Sequence, residues 1–509
     1  MKTITQMQIL FFGAIPQVSA LIGCTTPQTH QVPSPLAAHA SSIVIESEPD
    51  TPRPPFSFSK SDNQFLDEIE QATFIYFWEA VSPETGMVYD RSSSDVISIA
   101  GVGFQLASLP IGVERGWVTR DQASSRAMQI LGALEGAPSN RKAGLFYHFI
   151  NPHDASARRV GRELVVSTVD SALLFAGMLT AGEYFGGDIK NIADSLFAQA
   201  NWSFFLASPD GDPKGNQYLS LGWKPSSDEK PTGEGELLPY FWLDSGDEHR
   251  LTTFLALCAP NPAFRVSDEV YWSLRRQLGW EQSQGHMVWF PYSGALFTAF
   301  FAHCFIDYSS LAIDDPASHQ QTHRARVDWW ENSRRLVNLH RDRAIENPKE
   351  LPTLGPDAWG FSASDGPDSY VVSGQFPTPV KMIDAQPDAD FSTYTPSENW
   401  GEGVIAPYAA GSSIMFEPEL ALKSLRKSYA VTTSDGGAGV WNKSATHRWG
   451  FFDAYRLDQD GHADWVAEDY VAISQGPLLL GIENARNGFI WKLFMNNQYV
   501  KNGINRAGM

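Results

Sequence analysis

The chain reads as mostly α-helical, and three observations predict this. Apolar residues recur at helical spacing in segment after segment from about residue 63 onward. Strand-like alternation is confined to short pieces such as "HMVWFPY" at 286–292. No repeat of 20 to 50 residues marks a solenoid. Between the helical segments lie four long stretches rich in Gly, Pro, Asp and aromatics, at 86–103, 205–247, 351–404 and 431–466. Loops of that length in a compact domain are uncommon unless they carry function. A closed ring of helices with a loop-lined mouth fits this pattern, and so do two helical bundles. With 509 residues there is room for several domains or for one large closed one.

Residues 1–24, "MKTITQMQILFFGAIPQVSALIGC", open on a single Lys2 and run through an apolar stretch from Ile9 that Pro16 interrupts. The stretch is too short to cross a bilayer and reads as an export signal. Its ending, "LIGC", resembles a bacterial lipobox. The expectation is a signal peptide over 1–23 and a lipidated Cys24, placing an exported lipoprotein on the periplasmic face of a bacterial membrane, the outer membrane, or the cell surface. Residues 24–62 are rich in Pro, Ser and Thr and lack a helical period, which predicts an extended tether before a single folded unit at 63–509.

In the first helical segment, 63–81, Leu66, Ile69, Thr73, Tyr76, Phe77 and Ala80 share one face. Ala123, Ala127, Ile130, Leu131 and Leu134 do the same in 120–136. The period returns at 170–185, 247–260, 295–308, 327–347, 417–431 and 475–497. The entry to the 170–185 segment is "STVDSALLFAG". Ser167 or Thr168 followed by Asp170 is a helix-capping pattern, and a carboxylate in the first turn suits the helix dipole. The same carboxylate is also free to face a cleft.

Charge and motifs narrow the chemistry. A formal net charge of −20 with no basic patch argues against a nucleic-acid partner. Aromatics make up 12% of the chain, and a surplus of Trp suits flat, weakly polar ligands such as sugars as well as a core. Cys24, Cys258 and Cys304 form no disulfide framework or zinc motif, and the last two sit in apolar runs as buried thiols. His148 and His153 lack clustered partners, and "DAQPDADF" at 384–391 lacks the Gly and closing Glu of a calcium loop, so no metal is expected. There is no GxSxG elbow, HExxH or P-loop, and "GEGVIA" at 401–406 follows no strand, so no cofactor is expected either.

What remains are carboxylates set among aromatics: Asp90, Asp170, Glu248, Asp307, Asp365, Glu402 and Asp453. Glycoside hydrolysis needs one carboxylic acid to protonate the leaving oxygen and one carboxylate to activate water or attack carbon. An aromatic wall raises a carboxyl pKa and keeps the acid loaded. Each acid also has a structural reading: Asp365 in "SDGP" can make a turn, Asp307 can pair with Arg334, and Asp90 can bond its own backbone.

Taken together, "FIYFWEAVSPETGMVYDRSSS", "GLFYHFI", "STVDSALLFAGML", "YLSLGWKP", "WGFSASDGP", "IAPYAAGSS", "WGFFDAYRLD" and the C-terminal "ISQGPLLLGIENARNGFIWKLFMNNQYVKNGINRAG" resemble the bacterial glucoamylase-like domain of glycoside hydrolase family 144, whose members include endo-β-1,2-glucanases. The resemblance runs from about residue 70 to the C-terminus. It implies an all-α (α/α)6 barrel, with long loops forming a substrate cleft at one end of the ring. It also implies hydrolysis of β-1,2-glucan with inversion by a general acid and a general base, without cofactor or metal. "EHRLTTFLALCAP" keeps the frame of the family's acid segment and places Glu248 as proton donor, although "DSGD" before it and His249–Arg250 after it depart from the usual pattern. Asp453 and Asp170 fall where the family carries cleft-facing acids, and either is a candidate base.

The carboxyls of an inverting pair stand about 6.5–9.5 Å apart, or further if a hydroxyl relays the proton. Candidate substrate-binding residues are Asp90, Arg91, Asp307, Asp365 and Glu402, with Trp78, Trp223, Trp359, Trp400 and Tyr370 for stacking on glucose rings. The expected partner is a β-glucan, bound by a monomer that touches a membrane only through its lipid. An exo-acting or transglycosylating enzyme and a non-catalytic glycan-binding lipoprotein are the alternatives.

Overall fold

In the computed structural model, residues 44–209, 215–290, 293–322, 324–379, 398–442 and 448–509 are described. Cys24 and the signal segment lie outside them, as does "DAQPDADF". Thirteen α-helices run through the described residues: α1 (Lys60–Glu79), α2 (Ile99–Glu114), α3 (Arg120–Gly136), α4 (Thr168–Phe185), α5 (Gly187–Ala198), α6 (Asp247–Cys258), α7 (Asp268–Trp272), α8 (Trp329–Glu346), α9 (Pro407–Ser412), α10 (Pro418–Ala430), α11 (Ala472–Asn487), α12 (Phe489–Asn496) and α13 (Gln498–Ala507). No described helix is long and apolar enough to cross a membrane.

Local chemistry sets many of these boundaries. Ser59, Thr119, Ser167, Ser267 and Asp328 each cap a helix by accepting a backbone N–H three or two residues on. Thr119 and Gln122 complete a reciprocal capping box at α3. The helical run expected at 475–497 breaks at Gly488, whose φ of 66° ends α11 and lets α12 start in a new direction.

The interior is built by glycine-mediated approach. A Cβ on Gly177 of α4 would lie 1.9 Å from the carbonyl oxygen of Gly103 on α2, so these two helices touch backbone to backbone. Gly476 of α11 leaves room in the same way for Phe104, and Gly411 of α9 for Leu478. Packing passes from α2 to α4, from α4 to α6, from α6 to the 3₁₀ turn at Ala302–Cys304, from there to α11, and from α11 back to α2. Helices α1, α3, α5 and α13 pack on members of this circuit or, like α3 and α5, also on one another, and α10 packs on α9, which itself packs on α11.

Two expectations are corrected. The periodic segment 295–308 is not an α-helix but two short 3₁₀ turns, Leu296–Ala299 and Ala302–Cys304. It is buried at every residue but Asp307, and the Asp247 carboxylate takes the backbone N–H groups of Ala302 and His303, drawing the chain out of helical register. The stretch before residue 63 is in part laid on the fold: Val44–Ile45 pairs in parallel with Arg326–Val327, Ile45 is fully buried, and Arg53 bonds Asp328. The remaining strands are two to four residues long and staple the loops to the helix ends, as where Gly222–Pro225 pairs with both Val166–Ser167 and Gly235–Leu237.

Candidate active site

The first turns of α4, α6, α9 and α11, with the chain entering α2, bring together most of the acids. Asp170 is the third residue of α4. Ser167, not Asp170, caps that helix, its hydroxyl accepting the Asp170 N–H at 3.2 Å. The Asp170 carboxylate is left for other work. Its Oδ2 is buried without a hydrogen-bond partner, and its Oδ1 lies 3.8 Å from His148 Nε2. Burial raises its pKa; His148 and the Ser167 hydroxyl pull it down, and Glu163 and Glu248 push it up.

His148 stacks on Phe149 at 3.8 Å, and its Nδ1 lies 2.6 Å from Glu163 Oε1. Burial works against its charge, but Asp170, Glu163 and Asp90 outweigh burial and push it up to about 9.

Glu248 is the second residue of α6, with its side chain 15% exposed. Its Oε1 lies 3.6 Å from Nε2 of His249. The Asp244 carbonyl can only accept, so His249 Nδ1, 2.8 Å away, carries a proton and Nε2 is the nitrogen left to face Glu248. Trp242 packs on the His249 ring at 4.4 Å and donates its indole N–H to Thr168 Oγ1 at 2.8 Å, linking the start of α6 to that of α4. Beneath Glu248, the fully buried Asp247 accepts from Arg250, His303 Nδ1 at 2.9 Å, and the amides of Ala302 and His303. These bonds fix where α6 begins.

Asp453, 1% exposed, accepts the backbone N–H of Asp365 on Oδ2 at 2.7 Å. Burial first, then the charge of Asp365, push its pKa up to about 7, against the pull of Arg91. The Ser474 hydroxyl at the start of α11 also lowers it, yet Oδ1 has no hydrogen bond of good geometry. Arg91 binds both oxygens of Asp365 at 2.7 and 2.9 Å, lies 3.8 Å from Asp90 and 3.8 Å from Asp469, and faces the Tyr370 ring at 5.4 Å. Tyr408 in α9 donates to the Ala363 carbonyl at 2.8 Å; burial drives its phenol up, and both Asp453 and Glu248 add to that rise. It stands within the field of both acids.

Of the residues singled out from the sequence, Asp90, Arg91, Asp170, Glu248, Asp365, Tyr370 and Asp453 thus share one region. The others are held in different contacts. Asp307 does not pair with Arg334; it closes a turn onto Ser309, while Arg334 pairs with Glu331 and Glu417. Trp359 and Trp223 are closed to a sugar, being 0% and 2% exposed, with the Lys142 ammonium 4.8 Å above the Trp223 ring. Trp78 packs between Phe74 and the Arg126 guanidinium, and Trp400 between Phe361 and Arg343. Glu402 is exposed, with a left-handed φ of 54° and Arg456 at 3.7 Å.

His148, Glu163, Tyr408 and Asp469 escaped the sequence reading as site residues. The signal for the first was the His in "GLFYHFI", judged only as a metal ligand. A hollow between Thr433, Phe452 and Trp465–Glu468 contains none of the candidate acids. Among the described residues no three His, Cys, Asp or Glu are grouped to hold a metal ion, and Cys258 and Cys304 are buried thiols.

A helix-rich fold whose helix starts converge on buried, pKa-raised carboxylates has the equipment of an acid/base hydrolase. Residues 240–498 match the glycoamylase family model, described as "Putative glucoamylase", and the chain belongs to that family. It is 26% identical over 490 residues to an exo-β-1,2-glucooligosaccharide sophorohydrolase (non-reducing end) from Parabacteroides distasonis, covering 88% of this chain and 58% of that protein. The chain thus spans little more than half the length of that relative. A crystal structure from Bacteroides uniformis, described in the same words as the family, matches with a TM-score of 0.69 and 26% identity over 89% of this chain and 98% of the other. An endo-β-1,2-glucanase from Chitinophaga pinensis, solved with sophorotriose and glucose, shares the fold at a TM-score of 0.67 and 24% identity, over 89% and 98% of the two chains.

Proposed function

We propose that this protein is a glycoside hydrolase acting on β-1,2-glucans or their oligosaccharides by a single inverting displacement. The observation that carries the reading is that Asp170 and Glu248, in the first turns of α4 and α6, act on one another, and that Tyr408 feels both Glu248 and the loop residue Asp453, in a chain of the glycoamylase family. Glu248 is the proton donor to the glycosidic oxygen. Asp453 is the base: its Oδ2 is pinned by the Asp365 amide and its Oδ1 is left for water or for a sugar hydroxyl that relays the proton. In a second reading Asp170 is the base, favoured by its own unpartnered oxygen and by His148 at 3.8 Å.

The packing circuit of α2, α4, α6, the 302–304 turn and α11 is read as the inner wall of an (α/α)6 barrel, with the acids at its mouth. Localisation as a lipoprotein anchored through Cys24, and a monomeric state, are part of the same proposal.

The test is digestion of linear β-1,2-glucan, with reducing-end release and sizing of the products over time. A ladder of oligosaccharides is the expected result of endo action, and sophorose alone that of exo action, the mode named for the Parabacteroides relative. Larger products than the substrate would reveal transglycosylation. Glucan binding without any new reducing ends would overturn the hydrolase reading and leave a glycan-binding protein.

A further inference from the structure

Glu163, His148 and Asp170 form a buried line in which the imidazole sits between two carboxylates, 2.6 Å from Glu163 on Nδ1 and 3.8 Å from Asp170 on Nε2. All three side chains are at most 12% exposed. The line is assembled from separate pieces of chain. His148 follows the short strand Leu145–Phe146, Glu163 closes a two-residue bridge with Val160, and Asp170 begins α4. The backbone holds them in place: the His148 amide donates to the Val165 carbonyl at 2.9 Å, and the His148 carbonyl accepts the Ile99 amide at 3.0 Å at the start of α2. Phe149 covers one face of the ring. An imidazole gripped this way cannot swing from Asp170 without breaking the Glu163 bond.

We propose that His148 is a positioning residue for Asp170: anchored by Glu163, it stays an imidazolium and holds the Asp170 carboxylate ionised. The inference rests on the hydrolase reading for its consequence in turnover, but not for its electrostatics. A solitary carboxylate as buried as Asp170 would take up a proton rather than remain charged. Glu163 and Asp90 sustain the positive charge on His148, while Glu163 and Glu248 oppose the negative charge on Asp170. His148, pushed up to about 9, is positive through the neutral range, and only it and the Ser167 hydroxyl bond offset burial at Asp170. Glu163 therefore acts on Asp170 in two opposed ways, directly by repulsion and through His148 by sustaining its positive charge.

The experiment follows the His148 ring by NMR in the full-length protein carrying ¹³C-labelled histidine, the resonance being assigned by its loss in His148→Gln. Titration well above the ordinary value of about 6.5, falling by about one unit or more in both Asp170→Asn and Glu163→Gln, is the expected result. A His148 that titrates near 6.5 and is unmoved by Asp170→Asn overturns the proposal, whatever the enzyme's activity. If glucan is cleaved, His148→Gln should lower kcat about 10- to 100-fold with KM little changed, and should cost nothing further in an Asp170→Asn background. Equal losses in both backgrounds would show His148 acting independently of Asp170 and would sink the idea. Activity failing with the NMR result intact would count against the hydrolase reading alone.

Discussion

Asp365 and Asp453 are joined by one hydrogen bond, from the amide of the first to the carboxylate of the second at 2.7 Å, while the side chain of Asp365 turns away to Arg91. One residue thus both binds Asp453 through its backbone and repels it through its side chain, and Arg91 sets the balance. Replacing Arg91 with Met leaves Asp365 uncompensated in a largely buried place. We expect a loss on the order of 3–5 kcal/mol, as when one member of a buried ion pair is removed, read as a fall in the melting midpoint. We also expect the low-pH limb of activity to move to higher pH.

Asp453 ties stability to pH in an unusual direction. Its folded pKa of about 7 lies above the ordinary value of 3.8, so the folded state binds this proton more tightly than the unfolded chain. The stabilisation is fully present below the unfolded value and is lost as pH rises through about 7. Asp453→Asn cannot ionise, and should melt above the wild type at pH 8, by on the order of 1–3 °C, with the gap closing at pH 5. The same substitution should abolish turnover if Asp453 is the base.

For the wild type with Asp453 as base, kcat/KM should fall tenfold per unit below about pH 7 as that carboxylate takes up its proton. If Asp170 is the base instead, Asp453→Asn keeps measurable activity. A pH–rate profile of Asp453→Asn and Asp170→Asn therefore separates the two assignments.

Glu248→Gln keeps the shape of the side chain and removes the proton. Turnover on unactivated β-1,2-glucan should drop about 10²- to 10⁴-fold, with an unchanged circular dichroism spectrum and melting midpoint. A substrate with a fluoride leaving group, which needs no protonation, should recover much of the loss. Retained activity on the natural linkage would remove Glu248 from the role.

The contact between α2 and α4 has no space to give. Gly177→Ala places a methyl 1.9 Å from the Gly103 carbonyl oxygen, against backbone that cannot retreat alone. We expect destabilisation of about 3 kcal/mol or more, or failure to fold, judged by soluble yield and thermal melting.

The helices whose apolar residues fall on one face, α1, α3, α8 and α10, were legible in the sequence, as were α4 and α6 with their acidic openings. Helix α2 was not. It is buried on all sides and carries Gly101, Gly103, Gly112 and Pro110, so it offers no polar face to reveal a period and several residues that read as breakers. Those glycines lie where Ala472 of α11 presses on Gly101, α4 on Gly103 and Phe74 on Gly112. Segment 295–308 misled in the opposite way, its helical spacing overridden by the Asp247 carboxylate from another element. Aromatic settings picked out Asp90, Asp170, Glu248, Asp365 and Asp453, which the fold brings into one region, but also Asp307, which turns to Ser309, and Glu402, which is exposed beside Arg456. The tryptophans could not be sorted, because a core indole and a sugar platform look alike in one dimension. The role of His148 depends on partners at 163 and 170 that only the fold brings to its two nitrogens.

The Arg91–Asp365 and Ser92–Asp469 bonds span 274 and 377 residues of chain. Contacts so distant in sequence are costly to close early, so we expect them to form late in folding. The 240–498 portion that carries the family signature holds Glu248, Asp365 and Asp453 yet lacks Arg91, His148 and Asp170. A fragment limited to those residues is without the guanidinium that binds Asp365, and we expect it not to reproduce the site of the whole chain.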